Sequence, residues 1–537
     1  MAPNISDLKS HEKGASDPIV QRLALEDRVP WYRKPNLRYL YLLLIPTCMG
    51  IEITSGFDSQ MINALQISDH WQDYFNEPTG SWSGFINASY SLGAILSLPV
   101  VPILNDRFGR RKAIFIGSWV MVAGAIVQCF AQNAGNYIFA RIMLGFGIPT
   151  CIVAASALIG ELGYPKERPV LTSLFNVSYF VGELTAAGIC FGTNTIASNW
   201  SWRTPSILQA APSLIQISLV LLLPESPRWL ISKDRHEEAH EILVKYHAEG
   251  DRDSEFVRAE MAQIRATLHM EIEASKKSWL DLFTTAGMRR RVILSTALGL
   301  FTQWSGNTLI SYYLGKLLKM VGWTNSTDIQ KVNVGLSAWS LITAGTAALL
   351  VTRFRRRVMY MTCAISLLCV YIAWTICMEE TMTSDAAGNI NHGAGIGVIF
   401  FIFAYKPAYN IGYNALTYTY LVELWPFAER SRGIAYFQLW GRLATFFTTF
   451  INPIGLDNIQ WRWLIFYCCW LGFENVFIYF FFPETYGRTL EELAFIFEDK
   501  EKSERAVAAV EKARAGLDDN ENEKRAETIV EHIGERN

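Results

Sequence analysis

Long apolar runs separated by short polar segments make up most of the chain between about residues 37 and 485. Twelve runs reach the roughly 17–25 residues that an α-helix needs to cross a bilayer. They lie near residues 39–62, 82–104, 113–131, 137–159, 170–192, 206–223, 292–315, 332–352, 358–378, 394–421, 433–453 and 463–482. These runs do not show the two-residue alternation typical of membrane β-strands. The pattern predicts an all-α membrane protein with twelve transmembrane helices.

The cations of the short loops predict how the chain is oriented. Loops after runs 2, 4, 8 and 10 contain twelve Lys and Arg residues, and loops after runs 1, 3, 5, 7, 9 and 11 contain five. Because cations concentrate in cytoplasmic loops, the odd-numbered loops are expected outside and both termini inside. No signal peptide is expected, since residues 1–36 are polar and the first apolar run is a full span.

The composition narrows the class of protein. Half of the 537 residues are hydrophobic, only 18% are charged, and the formal net charge is −2. Such a chain is neither a nucleic-acid binder, which needs a basic face, nor a disordered scaffold. The nine cysteines all lie in the predicted spans without a C-x-x-C pair, so buried thiols are expected rather than disulfides or a metal site.

One short motif resembles a zinc-protease site. His236-Glu-Glu-Ala-His240 places two imidazoles one helical turn apart. It lies in a polar segment, 225–291, that is too short for a protease domain and offers no further ligand at a suitable spacing. The sequence therefore predicts no metal, no cofactor and no enzyme, and the lack of a phosphate-binding loop argues against ATP-driven transport.

Three cytoplasmic motifs occur twice along the chain. Asp106-Arg-Phe-Gly-Arg-Arg pairs with Arg353-Phe-Arg-Arg-Arg, the Glu161 to Arg168 segment with the Glu423 to Arg430 segment, and Pro224-Glu-Ser with Pro483-Glu-Thr. The displacements are 246, 262 and 259 residues. The spacing predicts two six-helix halves in parallel topology, an architecture found in transporters that bind substrate between their halves.

Five regions follow from these boundaries. They are a cytoplasmic tail (1–36), a first six-helix bundle (37–224), a cytoplasmic helical linker (225–291), a second six-helix bundle (292–484) and a cytoplasmic helix with a disordered tail (485–537).

The motifs at 106–112, 224–230 and 483–493 resemble those of the sugar-porter branch of the major facilitator superfamily, over roughly residues 37–495. Within that branch, residues 303–314 resemble the fungal lactose and cellodextrin permeases. The resemblance implies a plasma-membrane carrier that imports a disaccharide such as lactose or cellobiose with a proton, by alternating access. A hexose, pentose or polyol carrier, coupled or not, and a sugar sensor that does not transport are the alternatives. The expected partners are a sugar, a proton and membrane lipids, with the chain acting as a monomer.

Charged residues inside a span are costly and are therefore functional candidates. Asp58 matches the acidic residue of the family that takes up a proton, and Arg141 matches its cationic partner. A permanent structural ion pair is the alternative. Glu52 and Glu183 could act in function or only in packing, and Glu474 is a weaker candidate.

Sugar recognition needs amide and hydroxyl groups together with aromatic faces in a mostly apolar pocket. The resemblance assigns this role to Asn176, Gln303, Asn307, Tyr312, Tyr313, Asn414, Tyr418 and Asn452. Gln303 and Asn307 are four residues apart, which predicts one face of a single helix. Asn176 stands where the family has Gln and Tyr418 where it has Trp, and both changes favour a larger sugar.

The cytoplasmic motifs also resemble the charge network of the family, which ties the two halves together when the outer side is open. Its members here would be Asp106, Arg107, Arg110, Glu161, Arg168, Glu225, Arg228, Glu423, Arg430, Glu484 and Arg488. Alternatively, some of these charges are only solvated anchors at the inner surface.

Overall fold

The computed structural model describes residues 18–275, 279–350, 354–386, 392–426, 429–486 and 497. Every regular element in these ranges is helical, as the sequence predicts. The helices are α1 (Pro18–Glu26), α2 (Pro35–Leu65), α3 (Asp69–Tyr74), α4 (Gly80–Ser97), α5 (Val100–Phe108), α6 (Arg110–Cys129), α7 (Ala134–Leu162), α8 (Arg168–Thr193), α9 (Trp200–Leu208), α10 (Ala210–Val220), α11 (Pro227–Ser232), α12 (His236–His247), α13 (Glu255–Ser275), α14 (Ala286–Trp304), α15 (Asn307–Met320), α16 (Ser326–Leu350), α17 (Arg356–Ala386), α18 (His392–Tyr409), α19 (Ala415–Leu424), α20 (Arg430–Ile459) and α21 (Trp463–Phe481).

Eight helical segments in the described ranges are long and apolar enough to cross a membrane. A ninth is obtained if α4 and α5, which meet at 50°, count as one bent span. Large apolar side chains stand exposed on the outer faces of these segments, such as Leu349, which is 78% exposed, and Phe480, which is 71% exposed. Such continuous apolar surface suits contact with lipid rather than water. A multi-pass membrane protein is thereby confirmed.

Close helix contacts depend on small residues. A Cβ atom added at Gly56 on α2 would lie 1.9 Å from the carbonyl oxygen of Tyr179 on α8, and one added at Gly182 would lie 2.1 Å from that of Ile53. The same arrangement joins α4 to α7, where a Cβ at Gly145 would lie 1.9 Å from the Tyr90 carbonyl oxygen. Small residues allow membrane helices to approach until their backbones touch.

Four of the predicted spans are not continuous α-helices, since 82–104 divides into α4 and α5, 206–223 divides between α9 and α10, and two more are interrupted near the cavity described below. Gly306, at a φ of +93°, separates α14 from α15, and a Cβ there would lie 1.6 Å from the Tyr371 hydroxyl oxygen. Residues Asn410–Asn414 form a π-helical turn between α18 and α19, three residues after Pro407. Proline removes a backbone donor, and π turns are frequent at functional sites.

The linker forms a helical unit against the first bundle. α11, α12 and α13 share a small apolar core, and the buried His247 side chain connects it to the end of α7. One imidazole nitrogen of His247 lies 2.7 Å from Glu260, and the other lies 3.2 Å from the Leu162 carbonyl oxygen. Of the predicted C-terminal region, 485–537, residues 487–496 and 498–537 lie outside the described residues.

The cysteines agree with expectation only in part. Five are buried, but Cys369 and Cys469 are exposed on the outer faces of α17 and α21. A thiol on an apolar outer face needs no burial within the protein when the surrounding medium is itself apolar.

We expect Gly56→Ala to destabilise the protein, because the added methyl group collides with backbone rather than with a movable side chain. Overpacking of this kind costs about 1–3 kcal/mol, measurable as a lower midpoint of thermal unfolding in detergent. Gly188→Ala on α8 is the matched control, since a Cβ there meets nothing within 4 Å. Equal midpoints for the two variants would contradict the close packing of α2 on α8.

Candidate functional site

A cavity of about 530 Å³ lies between the helices of the first bundle and those of the second. This volume falls within the roughly 300–1,000 Å³ typical of small-molecule sites. Its wall comes from α2, α4, α7 and α8 on one side and from α14, α15, α16, α18, α19 and α20 on the other. A ligand bound here would contact both bundles at once.

Most of the predicted binding residues lie on this wall. They are Asn176, Gln303, Asn307, Tyr312, Asn414 and Tyr418. Amide and phenol groups therefore converge on the cavity from α8, from both sides of the Gly306 break, and from the π-helical turn with the helix that follows it.

Two predicted binding residues point elsewhere, which corrects the expectation. The Tyr313 hydroxyl donates to the carbonyl oxygen of Thr449 and accepts from the Asn87 amide at 3.0 Å. The Asn452 carbonyl oxygen accepts from the indole of Trp463 at 3.1 Å and from the Tyr467 hydroxyl. Both side chains use their polar groups to hold neighbouring helices together.

The helical relation between Gln303 and Asn307 was also wrong in detail. Gln303 lies at the end of α14, and Asn307 is the first residue of α15 after the break at Gly306. The two amides reach the cavity because the chain bends there, rather than because they share one face of a continuous helix.

Several cavity residues were missed by the sequence reasoning. Asn410 is buried, and its amide donates to the Thr343 hydroxyl at 2.9 Å. Gln438 donates to the Tyr418 hydroxyl at 2.7 Å. The available signal was the recurrence of an amide at positions 410 and 414 within an apolar run, since two such amides lie close to one face of a helix.

Charged side chains also reach the cavity. Glu52 and Glu183 come from the first bundle, and Lys406 and Arg442 come from the second. Lys406 Nζ lies 3.6 Å from Glu183 Oε1, and both side chains are less than 10% exposed. This ion pair connects α8 to α18 across the boundary between the bundles.

Asp58 and Arg141 form a sealed ion pair behind the cavity wall. Arg141 Nη1 lies 2.7 Å and 2.8 Å from the two carboxylate oxygens of Asp58. The two side chains are 1% and 0% exposed. The Arg141 guanidinium also lies 5.3 Å from the ring centre of Tyr90, which lines the cavity, a cation–π distance. The ring of Tyr90 therefore borders both the ion pair and the cavity.

The first charge cluster, at the end of the helices that the sequence predicts to face the cytoplasm, is built around two carboxylates. Arg110 contacts Glu161 through two nitrogens, each at 3.1 Å. Glu225 accepts from the backbone N–H of Arg110 at 3.0 Å and of Arg111 at 3.3 Å. Burial raises the pKa of the Glu225 carboxyl.

The second bundle repeats this geometry. Arg356 contacts Glu423 at 3.0 Å and 3.2 Å. Glu484 accepts from the backbone N–H of Arg356 at 3.0 Å and of Arg357 at 3.3 Å. Arg356, which the sequence reasoning did not place in the network, therefore occupies the position of Arg110.

The other members of the predicted charge network lie at several places in the structure. The described pairs lie within one bundle, as in Arg110–Glu161, or join it to the linker, as in Arg168–Glu260 at 3.7 Å. The side chains of Asp106 and Arg107 are exposed, although the Asp106 carbonyl oxygen accepts from the Trp229 indole at 3.0 Å. Arg228 lies in the first turn of α11, Arg430 begins α20, and Arg488 lies outside the described residues.

Hydrogen bonds join the two bundles near the opposite end of the molecule. Asn333 on α16 accepts from Gln60 at 2.6 Å and from Asn63 at 3.0 Å, both on α2. Gln330 donates to the Ala64 carbonyl oxygen at 2.7 Å, and Asp457 accepts from the Gly80 N–H at 2.7 Å. The bundles are thus closed against each other at the end that lies away from the two charge clusters.

Comparison with known proteins identifies a family and several transporters that this chain resembles. A family model described as "Sugar (and other) transporter" matches residues 43–497. The chain is 27% identical over 490 residues to a high-affinity glucose transporter of Kluyveromyces lactis, covering 87% of each chain. It is 25% identical over 473 residues to high-affinity glucose transporter 1 of Candida albicans, covering 86% of each.

A solved structure shares the fold. The partially occluded, inward-open form of the xylose transporter XylE from Escherichia coli matches with a TM-score of 0.69 at 19% identity. The match covers 84% of this chain and all of that one. The sequence-based expectation of the major facilitator fold is confirmed at this level, while the resemblance to lactose and cellodextrin permeases finds no support among the glucose and hexose transporters matched.

We expect Arg141→Gln to destabilise the protein strongly, because it leaves the Asp58 carboxylate buried without a counter-ion. Breaking a buried pair costs about 3–5 kcal/mol. The double variant Asp58→Asn with Arg141→Gln should recover much of the loss, as measured by thermal unfolding in detergent.

Lys331→Gln, which breaks an exposed pair with Asp328, is the control and should change stability by less than about 1 kcal/mol. If the double variant were no more stable than Arg141→Gln alone, the pair would not be held together by charge.

Proposed function

The chain belongs to the sugar transporter family, and on this basis we propose that it carries a hexose-sized sugar across the plasma membrane by alternating access. The observation that carries the proposal is the cavity between the two bundles, where Gln303, Asn307 and Asn414 present amides beside the phenol rings of Tyr312 and Tyr418. Amides can hydrogen-bond to the hydroxyl groups of a sugar, and rings can cover its C–H face.

A hexose replaces the disaccharide as the preferred substrate. The disaccharide expectation depended on the short motif at 303–314 and on the residues Asn176 and Tyr418, whereas the relatives named above are glucose transporters that match this chain over most of its length. The observation that still favours a larger sugar is the volume of the cavity, about 530 Å³. Disaccharides therefore belong in the same experiment as competitors.

Alternating access in this proposal is a rocking of two six-helix halves, each with its own cytoplasmic cluster. Support comes from the matching geometry around Arg110 and Arg356, whose carboxylate partners recur at the displacements seen in the sequence. The hydrogen bonds of Asn333 would hold the outer side closed in the state described here. Their exchange for contacts at the cytoplasmic end gives the two states that such a cycle requires.

Twelve spans with both termini in the cytoplasm complete the proposed architecture. The positive-inside distribution of Lys and Arg supports this orientation. Helices with inward-facing polar groups that are too short or too broken to qualify alone, such as α14 with α15, would supply the remaining spans.

We further propose that Asp58 couples transport to a proton. Its carboxylate is paired with Arg141, and the Arg141 guanidinium lies near the ring of Tyr90, which lines the cavity. A substrate that moves this ring would change the surroundings of the ion pair, and a carboxylate that loses its cation takes up a proton more readily. Sugar and proton would then cross together.

Expression in a yeast strain without its own hexose carriers tests the substrate. We expect uptake of radiolabelled glucose that is competed by xylose but not by lactose or cellobiose. Gln303→Ala should raise the half-saturation concentration about tenfold, which corresponds to 1.4 kcal/mol of lost binding. Asn458→Ala, an exposed amide on α20, is the control. Preferred uptake of cellobiose would favour a disaccharide as the substrate, and glucose binding without uptake would favour a sugar sensor that does not transport.

A second measurement tests coupling. Cells should accumulate glucose above the external concentration, and a protonophore should abolish this accumulation. Asp58→Asn should lose accumulation but keep exchange of labelled for unlabelled glucose, because an amide cannot take up a proton. Asp58→Glu, which keeps a titratable carboxyl group, is the matched control. Unchanged accumulation in Asp58→Asn would refute the role of this residue.

A further inference from the structure

The charges that line the cavity are sorted by bundle. Both acids, Glu52 on α2 and Glu183 on α8, stand on the wall of the first bundle. Both bases, Lys406 on α18 and Arg442 on α20, stand on the wall of the second. The cavity therefore carries negative charge on the wall of the first bundle and positive charge on the wall of the second.

The two bases differ in how they are compensated. Lys406 has Glu183 at 3.6 Å. Around Arg442, by contrast, no carboxylate oxygen lies within 4.0 Å in the part of the chain that the structure describes. Glu52 interacts with the guanidinium electrostatically, but across a wider gap. Arg442 is only partly buried and faces the cavity.

A guanidinium in this position can bind an anionic group of a ligand. A charge at membrane depth is costly unless it pairs, and such residues mark the paths of substrates and ions. The hydroxyl groups of a neutral sugar offer only uncharged acceptors. A carboxylate instead accepts two parallel, charge-assisted bonds from the planar fork of Arg, which are roughly twice as strong as neutral bonds.

A second donor stands beside Arg442. The Tyr418 hydroxyl accepts from Gln438 at 2.7 Å, so its own hydrogen is available to donate, and Tyr418 interacts electrostatically with Arg442. Both Tyr418 and Gln438 line the cavity. A carboxylate at this wall would therefore receive a phenol hydrogen bond in addition to the guanidinium.

We propose that the cavity takes a hexose-sized sugar acid, with its carboxylate on Arg442 and its hydroxyl groups toward the amides and Glu52 of the remaining wall. This substrate class rests on the proposed function, since it uses the same cavity and the same cycle. The Glu183–Lys406 pair neutralises the other acid on the wall, so Glu52 alone opposes the anion, and its carboxylate lies more than 4.0 Å from the nitrogens of Arg442.

The test compares three ligands of nearly equal shape. Glucuronate carries a carboxylate, glucuronamide carries the neutral amide in its place, and glucose carries a hydroxymethyl group. Each is measured as a competitor of labelled glucose uptake at pH 7, and by the thermal shift it produces on the full-length protein in detergent. We expect glucuronate to compete about tenfold better than glucuronamide.

Arg442→Gln should abolish this preference, whatever its effect on absolute uptake, and Arg442→Lys should retain part of it. Lys331→Gln, a charge change on the exposed surface near the start of α16, should leave the ratio unchanged. If Arg442→Gln fails to fold, the comparison of glucuronate with glucuronamide as competitors on the unaltered protein still tests the proposal.

Glucuronate that competes no better than glucuronamide, or a preference that survives in Arg442→Gln, would overturn the inference while glucose uptake upholds the proposed function. If the unaltered protein neither bound glucose nor took it up, the proposed function itself would be wrong.

Discussion

Backbone groups inside a bilayer must find their hydrogen-bond partners within the protein, and both the helices and the cavity depend on this constraint. Helices without an internal proline, such as α6 and α8, satisfy it alone, and glycines let neighbouring helices touch. Irregular backbone is tolerated where it borders a cavity rather than lipid. The chain places its break at Gly306 and its π-helical turn at such a border, and Asn307, Asn410 and Asn414 beside them line the cavity.

The same reasoning explains where charge is allowed. Asp58 and Arg141 are almost fully buried and compensate each other at hydrogen-bond distance. Charges on the cavity wall are compensated less completely, and Arg442 is the base with the most room in front of it. Charge compensation thus decreases from the buried Asp58–Arg141 pair, through the Glu183–Lys406 pair at 3.6 Å, to the Arg442 guanidinium. In our proposal, the substrate interacts with the least compensated of these charges.

Movement between access states needs parts that stay rigid as well as parts that change. Each charge cluster fastens its own bundle, because Glu225 accepts backbone hydrogen bonds from the start of α6 and Glu484 accepts them from the start of α17. Hydrogen bonds between the bundles, such as those of Asn333, lie at the other end and involve neutral amides. Neutral amide bonds can exchange with water at modest cost, which suits contacts that must break in every cycle.

Local pattern was enough to predict an all-helical membrane protein, because span length is a property of the chain itself, and the resemblance of its motifs to the sugar porters supplied the fold family and the pairing of Asp58 with Arg141. It could not show that Tyr313 and Asn452 turn away from the cavity, that Gly306 ends a helix, or that Arg442 faces a gap. Those features depend on how far each helix is rotated and on partners distant in sequence, such as Tyr371 packed on Gly306. Only the packed bundles decide which polar side chains satisfy one another and which remain available to a ligand.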